Sequence, residues 1–220
     1  MTARLSFEHE LKLLKENLIE MGQLIEAAIE KTLQAFQTQD EALAKEIIES
    51  DRTVNDIEKT IEARCLSLIL KQQPVARDLR IVTSALKVVT DMERIGDHAA
   101  DIAELIIREK RVHIYDLVKH IPEMGTVAKD MVHEAVDAFT TLNVEKAREV
   151  MKMDDVVDDL FDKVKEEVAN LLRSTNEHVD QCVDILMIAK YFERIGDHAV
   201  NICEWTEFHE TGSVNNIRIL

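Results

Sequence analysis

The heptapeptide Glu93-Arg94-Ile95-Gly96-Asp97-His98-Ala99 recurs letter for letter at Glu193-Arg194-Ile195-Gly196-Asp197-His198-Ala199. Seven identical residues do not recur by chance in a chain of 220. A chain written twice from one unit must fold as two copies of one supersecondary pattern, so this repeat constrains the architecture more than any other feature. It is the visible end of a longer duplication. Met21-Gly22 matches Met124-Gly125, Ala35-Phe36 matches Ala138-Phe139, and Asp51 matches Asp154, all at one offset. The offset then contracts before the heptapeptide. The connection around Lys71-Gln72-Gln73-Pro74 is shorter in the second copy, around Ser174-Thr175-Asn176. Two copies of roughly 100 residues make a duplicated domain and not a solenoid, which needs three or more repeats.

The unit reads as helical. Hydrophobic content is 46 %, aromatics only 4 %, and Gly and Pro are scarce, a profile of helical bundles. Leu11, Leu14, Leu18, Met21, Ile25, Ile29 and Leu33 recur at three- and four-residue steps, which predicts a first helix over about 6–37. Asp40 is placed to cap a second helix and Pro74 lies near the start of a third, which runs to about Arg111. Pro122 opens the fourth helix, Asn143 caps the fifth, and the sixth spans about 176–208. Each helix is about 30 residues and so ~45 Å long. Short connections force antiparallel neighbours. The expectation is an all-α protein of two tandem, pseudo-symmetric three-helix bundles. They cover 1–111 and 122–210, with a junction at 112–121 and a loose tail at 211–220.

Charge and cysteine content exclude several functions. The net charge of −16 is the wrong sign for a nucleic-acid binder. It describes a solvated surface or one that seeks basic partners or cations. No apolar run approaches the ~20 residues of a membrane span. The N-terminal residues lack the apolar stretch of a secretory signal, so a cytoplasmic location is expected. Cys65, Cys182 and Cys203 are odd in number and unmatched between copies, and read as small core residues of a reduced protein. Nucleophile elbows, phosphate loops and zinc signatures are absent from the sequence. A di-iron carboxylate bundle needs Glu-x-x-His motifs. Here His follows the duplicated Glu at i+5, off its face, so an enzyme is not expected.

The duplicated acids are the chemical feature. At about 100° per residue, Glu93 and Glu193 fall within the apolar arcs of their helices, with Asp97 and Asp197 one turn on. Like charges at i, i+4 cost a few tenths of a kcal/mol on an exposed helix, and desolvation raises the cost on a half-buried face. A basic partner, a proton or a metal must compensate. The preceding helices supply Asp51 and Asn55, then Asp154 and Asp158, at the same spacing. Each pair lies about 20 residues before its hairpin turn, as Glu93 and Glu193 lie about 20 after, and equal counts in an antiparallel hairpin mean equal height. Gly22 and Gly125 fall at that level and either leave room for an ion or admit a close helix approach. Converging carboxylates without thiols suit divalent or trivalent hard cations, namely Mg²⁺, Ca²⁺, Mn²⁺ or iron. The competing reading is a salt-bridge network using Arg94, Arg194, Arg77 or Arg80. His98 and His198 project away from the glutamates and read as polar-edge or partner-facing residues. Trp205 and Phe208 read as packing.

Tandem three-helix bundles with acidic i, i+4 pairs and the duplicated ERIGDHA segment closely resemble the PhoU family. The resemblance extends to Phe7, Glu10 and Leu11 and to the segment Leu68–Arg80, and covers residues 6 to about 208. It implies a cytoplasmic negative regulator of the phosphate-starvation response and of phosphate uptake. Such a regulator links the ATPase of a phosphate ABC transporter to a sensor histidine kinase. It also implies a homodimer, and in some members multinuclear metal clusters. By motif position the metal residues would be Asp51, Asn55, Glu93 and Asp97 with Asp101, and Asp154, Asp158, Glu193 and Asp197 with Asn201. Arg94, His98, Arg194 and His198 flank them. Asn55 and Asn201 depart from a fully acidic pattern and add no negative charge. The other reading is a carboxylate bundle with a structural or metal-storage role.

Overall fold

Side-chain caps start the second helix of each copy where the sequence places them. Asp40 Oδ1 accepts from the backbone N–H of Ala42 at 2.9 Å and of Leu43 at 3.1 Å. Asn143 Oδ1 accepts from the N–H of Lys146 at 3.0 Å. These bonds satisfy helix donors that have no intrahelical partner. The structure, a computed structural model, describes residues 3–108, 118–174, 178–214 and 217–218. It contains α1 (Ala3–Thr38), α2 (Glu41–Gln72), α3 (Arg77–Arg108), α4 (Ile121–Thr141), α5 (Val144–Ser174) and α6 (Val179–Thr211). Most of the expected junction, and the tip of the second hairpin at 175–177, lie outside the described residues.

Two expectations change. α4 begins with Pro122 in its first turn and stops before Leu142 as expected, but its 21 residues fall well short of the ~30 expected of each helix. The tail is not wholly loose. Gly212 ends α6 in the left-handed region at φ 73°, its N–H bonded to the Phe208 carbonyl at 2.8 Å. A short antiparallel pair, β1 (Ser213–Val214) with β2 (Ile217–Arg218), follows.

Within each copy the three helices pack on one another, and the copies also pack together through α3 on α6 and α1 on α4. One apolar cluster runs through both halves. Met21, Ile25 and Ile29 of α1, Met92 and Ile95 of α3, and Phe192 and Ile195 of α6 are fully buried. Helix contacts show how the copies are related. A Cβ on Gly22 would lie 2.9 Å from Val136 Cγ1, and one on Gly125 would press into Leu33. Leu33 and Val136 are counterparts in the duplication, as are Gly22 and Gly125. Contacts of this reciprocal form are the mark of a two-fold relation. The glycines therefore admit a close α1–α4 approach and leave no room for an ion.

Candidate functional site: carboxylates on neighbouring helices

α2 and α5 present their acids to the glycines of α3 and α6. A Cβ on Gly96 would stand 3.3 Å from Asp51 Oδ1, and a Cβ on Gly196 would stand 3.3 Å from Asp154 Oδ1. Each carboxylate lies over bare helix backbone, one residue before the repeated aspartate. The same seat is built twice.

In the first copy Asn55 Nδ2 donates to Asp51 Oδ2 at 2.9 Å. This leaves Asp51 Oδ1 and Asn55 Oδ1 buried without a hydrogen-bond donor. Glu93 Oε2 is also buried without one, although Arg94 Nε stands 3.4 Å away. Arg94 Nη1 donates to Asp97 Oδ2 at 2.8 Å. In the second copy Asp154 Oδ1 is the orphaned oxygen, and Lys190 pairs with Glu193 Oε2. Asp158, Asp197 and Arg194 are exposed, and Arg194 makes no ion pair among the described residues. Arg77 and Arg80 take no part. They reach the end of α6, where Arg77 pairs with Glu210 at 3.5 Å and Arg80 Nε donates to the His209 carbonyl at 3.0 Å.

Electrostatics follow this arrangement. Burial, then the charge of Asp97, raises the Asp51 carboxyl above its ordinary value, against the Asn55 hydrogen bond. Glu93 rises through burial and Asp97, opposed by Arg94. Asp154 is pushed up to about 6 by burial and then by Asp158, Asp197 and Glu193. Asp197, exposed as a residue but with its carboxyl partly covered at the seam, rises through that partial burial and Glu193, with Lys190 opposing. Each of these acids therefore lies within the field of its neighbours across the α2–α3 or α5–α6 seam.

A buried oxygen without a donor costs about 1–3 kcal/mol. Three such oxygens in the first copy and one in the second are the donors that a hard cation takes. The chemistry of the set therefore fits. Among the described residues, no three Asp, Glu, His or Cys groups already close round one point. Side chains must turn inward to complete a coordination shell.

Glu58 is an acid the sequence reading missed. Burial, then Glu62, raises its carboxyl, and it also feels Asp97 and Arg94. Its signal was its position seven residues after Asp51, on the same helix face. Its counterpart in α5 is Phe161, whose ring lies under Lys165 at 5.1 Å and Lys190 at 5.6 Å.

The histidines overturn an expectation. His98 is buried, and its ring centre lies 5.5 Å from that of His198 and 5.4 Å from that of Tyr191. They face each other across α3 and α6, because the face turned away from Glu93 is covered by the other copy. His98 Nδ1 is 3.4 Å from Asp101 Oδ2, and His198 Nδ1 is 2.8 Å from Asp91 Oδ1. Asn201 Nδ2 donates to the same Asp91 oxygen at 3.0 Å. Asp101 thus serves a histidine while still adding to the field on Asp51, and Asn201 bonds across to α3. Asp91 and Tyr191 stand at matched positions, so one two-fold seam carries an acid on one side and a ring on the other. Burial pushes the thiols of Cys65 and Cys203 up to about 12, which removes them as nucleophiles. Trp205 packs edge-on to Phe208, ring centres 5.4 Å apart.

Comparison with known proteins finds the same unit. A family model described as PhoU domain matches residues 18–106 and again 121–206. The phosphate-specific transport system accessory protein PhoU homolog of Clostridium acetobutylicum is 41% identical over 207 residues, 94% of each chain. The accessory protein PhoU of Escherichia coli is 29% identical, covering 94% of this chain and 86% of its own. The crystal structure of PhoU from Pseudomonas aeruginosa aligns with TM-score 0.87 at 31% identity, covering 94% of this chain and 100% of that one. The phosphate transport system regulatory protein PhoU from Streptococcus pneumoniae aligns with TM-score 0.88 at 28% identity, covering 96% and 100%.

Proposed function

The chain belongs to the PhoU family, and from that premise we propose that it is an accessory regulator of phosphate-specific transport. It acts as a cytoplasmic adaptor, as a homodimer, between the ATPase of a phosphate ABC transporter and a sensor histidine kinase. In that role it restrains uptake and damps the starvation response, without catalysing a reaction itself. The observation that carries this reading is the match of both repeats, across nearly the whole chain, to proteins named for phosphate transport. No helix among the described residues is long and apolar enough to cross a membrane.

The carboxylate seats serve the adaptor by holding hard cations, iron, Mn²⁺, Mg²⁺ or Ca²⁺. Asp51, Asn55, Glu93 and Asp97 hold one set and Asp154, Asp158, Glu193 and Asp197 the other, with Asp101 and Asn201 at their margins. A bound cation supplies positive charge where clustered acids repel, and so ties α2 to α3 and α5 to α6. The orphaned buried oxygens support this part of the reading.

The test is retention of partners. The purified protein is immobilised and challenged with the transporter ATPase and the kinase from the same cell. An adaptor retains both. A protein that binds metal yet retains neither is a structural or storage bundle, and the adaptor reading fails.

A further inference from the structure

Away from the carboxylates, α1, α3, α4 and α6 line an apolar cavity of about 160 Å³, open to solvent on one side, at one end of the interface between the copies. Leu14 and Leu18 of α1, Ile81 and Ala85 of α3, Phe139 of α4, and Leu142 line it. Three polar side chains line it as well, Thr140, His209 and Lys15, and the Thr140 hydroxyl is already engaged, donating to the Asp137 carbonyl at 3.2 Å. His209 is 1% exposed, and neither of its ring nitrogens has a hydrogen-bond partner. Its carbonyl is taken by Arg80, but its imidazole is idle. A neutral imidazole carries one donor and one acceptor, and leaving both unmet in a buried position is unfavourable. Burial, then the charge of Arg77, pushes this ring below the ordinary histidine value, with Arg80 adding to the shift and Glu210 opposing it. Lys15 is exposed and makes no ion pair among the described residues. The feature has no twin, since the counterpart of Lys15 in the second copy is the buried Val118.

The contents of the cavity determine what fits it. An apolar cavity of about 150 Å³ takes a molecule the size of benzene, so the apolar body has about six carbons. His209 calls for one hydrogen-bonding group inside, and Lys15 favours negative charge at the mouth. Inorganic phosphate, strongly hydrated and multiply charged, loses too much hydration against leucine and phenylalanine walls. We propose that this cavity binds a small amphiphilic monocarboxylate, its apolar body against Leu14, Leu18, Ile81 and Phe139 and its carboxylate shared by the His209 N–H and the Lys15 ammonium. The site is separate from the carboxylate seats and does not depend on the adaptor reading.

Calorimetry on the full chain tests this with hexanoate, hexan-1-ol, hexylamine and inorganic phosphate. Trp205, the single tryptophan, lies one turn before His209 and gives a second readout through its emission. Hexanoate should bind saturably, one per chain, and about tenfold or more tighter than the alcohol. Lys15→Gln, at an exposed position, should weaken hexanoate about tenfold and leave hexan-1-ol unchanged. His209→Phe, which removes both nitrogens and keeps an aromatic wall, should weaken both about tenfold or more. If His209→Phe fails to fold, Lys15→Gln decides alone. Absence of saturable hexanoate binding at millimolar concentration overturns the proposal. So does equal hexanoate affinity in wild type and Lys15→Gln, or tighter binding of hexylamine or phosphate.

Discussion

Asp51 is seated on Gly96. A Cβ there would come within 3.3 Å of Asp51 Oδ1 and 3.1 Å of Val54 Cγ1, and Gly196 repeats the relation with Asp154 Oδ1 at 3.3 Å. The glycine of the duplicated heptapeptide therefore brings the acid of one helix onto the helix that carries the other acids. Without that approach the carboxylates would sit on separate, solvated helix faces.

Glycine substitutions should rank by what their methyl meets. Gly125→Ala drives a methyl to 2.9 Å from the Phe192 ring and into Leu33. It should cost about 1–3 kcal/mol of overpacking, beyond the ~1 kcal/mol gained in helix propensity. Gly96→Ala should cost less. Gly196→Ala, whose closest contact besides Asp154 is 3.6 Å to Val157 Cγ1, should be near neutral in the metal-free protein. Thermal melts check the order, and a Gly196→Ala loss as large as that of Gly125→Ala contradicts it.

Asp154 makes the metal-free protein less stable as pH rises. Its folded-state pKa of about 6 lies above the ordinary 3.8, so the folded chain holds the proton more tightly than the unfolded one. That contribution is full below pH ~4 and is lost as pH climbs through about 6. Asp154→Asn mimics the protonated form at every pH. Without metal it should melt above wild type at pH 7.5 and level with it near pH 4. His98 and His209, held below their ordinary value by burial, push the other way but are common to both proteins. Parallel melting curves across the range would refute the assignment.

Removing the second carboxylate seat should remove its metal and not the fold. Asp154→Asn with Glu193→Gln, grown and purified beside wild type, should keep its helical circular dichroism and lose bound metal by elemental analysis. The second copy should favour the more highly charged ion, because Asp158 stands where Asn55 stands in the first. Unchanged metal content would sink the site.

Chelation should act on stability and recognition together. A ligand bound only by the folded form stabilises it by mass action, so metal removal should lower the melting temperature. If the cation also sets the adaptor surface, affinity for the ATPase and kinase should fall in the same titration. Unchanged partner affinity after metal loss would leave the cation a structural part only.

The α3–α6 seam can be tested apart from the metal. Asp91 accepts from both His198 and Asn201, so Asp91→Ala leaves two donors stranded. The expected loss is about 2–3 kcal/mol, or roughly 4–12 °C at this chain length. Asp91→Asn retains an acceptor and should recover at least half. Equal losses from the two variants would show that packing, not the hydrogen bonds, holds the seam.

The sequence alone determined the duplication, the six helices, the caps at Asp40 and Asn143, and the acidic pairs. These are local quantities. Spacing along one helix states which side chains share a face, and equal counts from a turn state which pairs share a height. Tertiary structure alone decided which copy covers which face. Periodicity marked the faces of α3 and α6 as apolar but named no neighbour for them. For that reason His98 against His198, the choice of Asp91 over Tyr191 as acceptor, and the decision between an ion and a close helix approach at Gly22 and Gly125 could not be read from the chain. The cavity at His209 was invisible for the same reason. Its walls come from α1, α3, α4 and α6, and only the packing of one copy on the other, driven by burial of apolar surface common to both, brings them together.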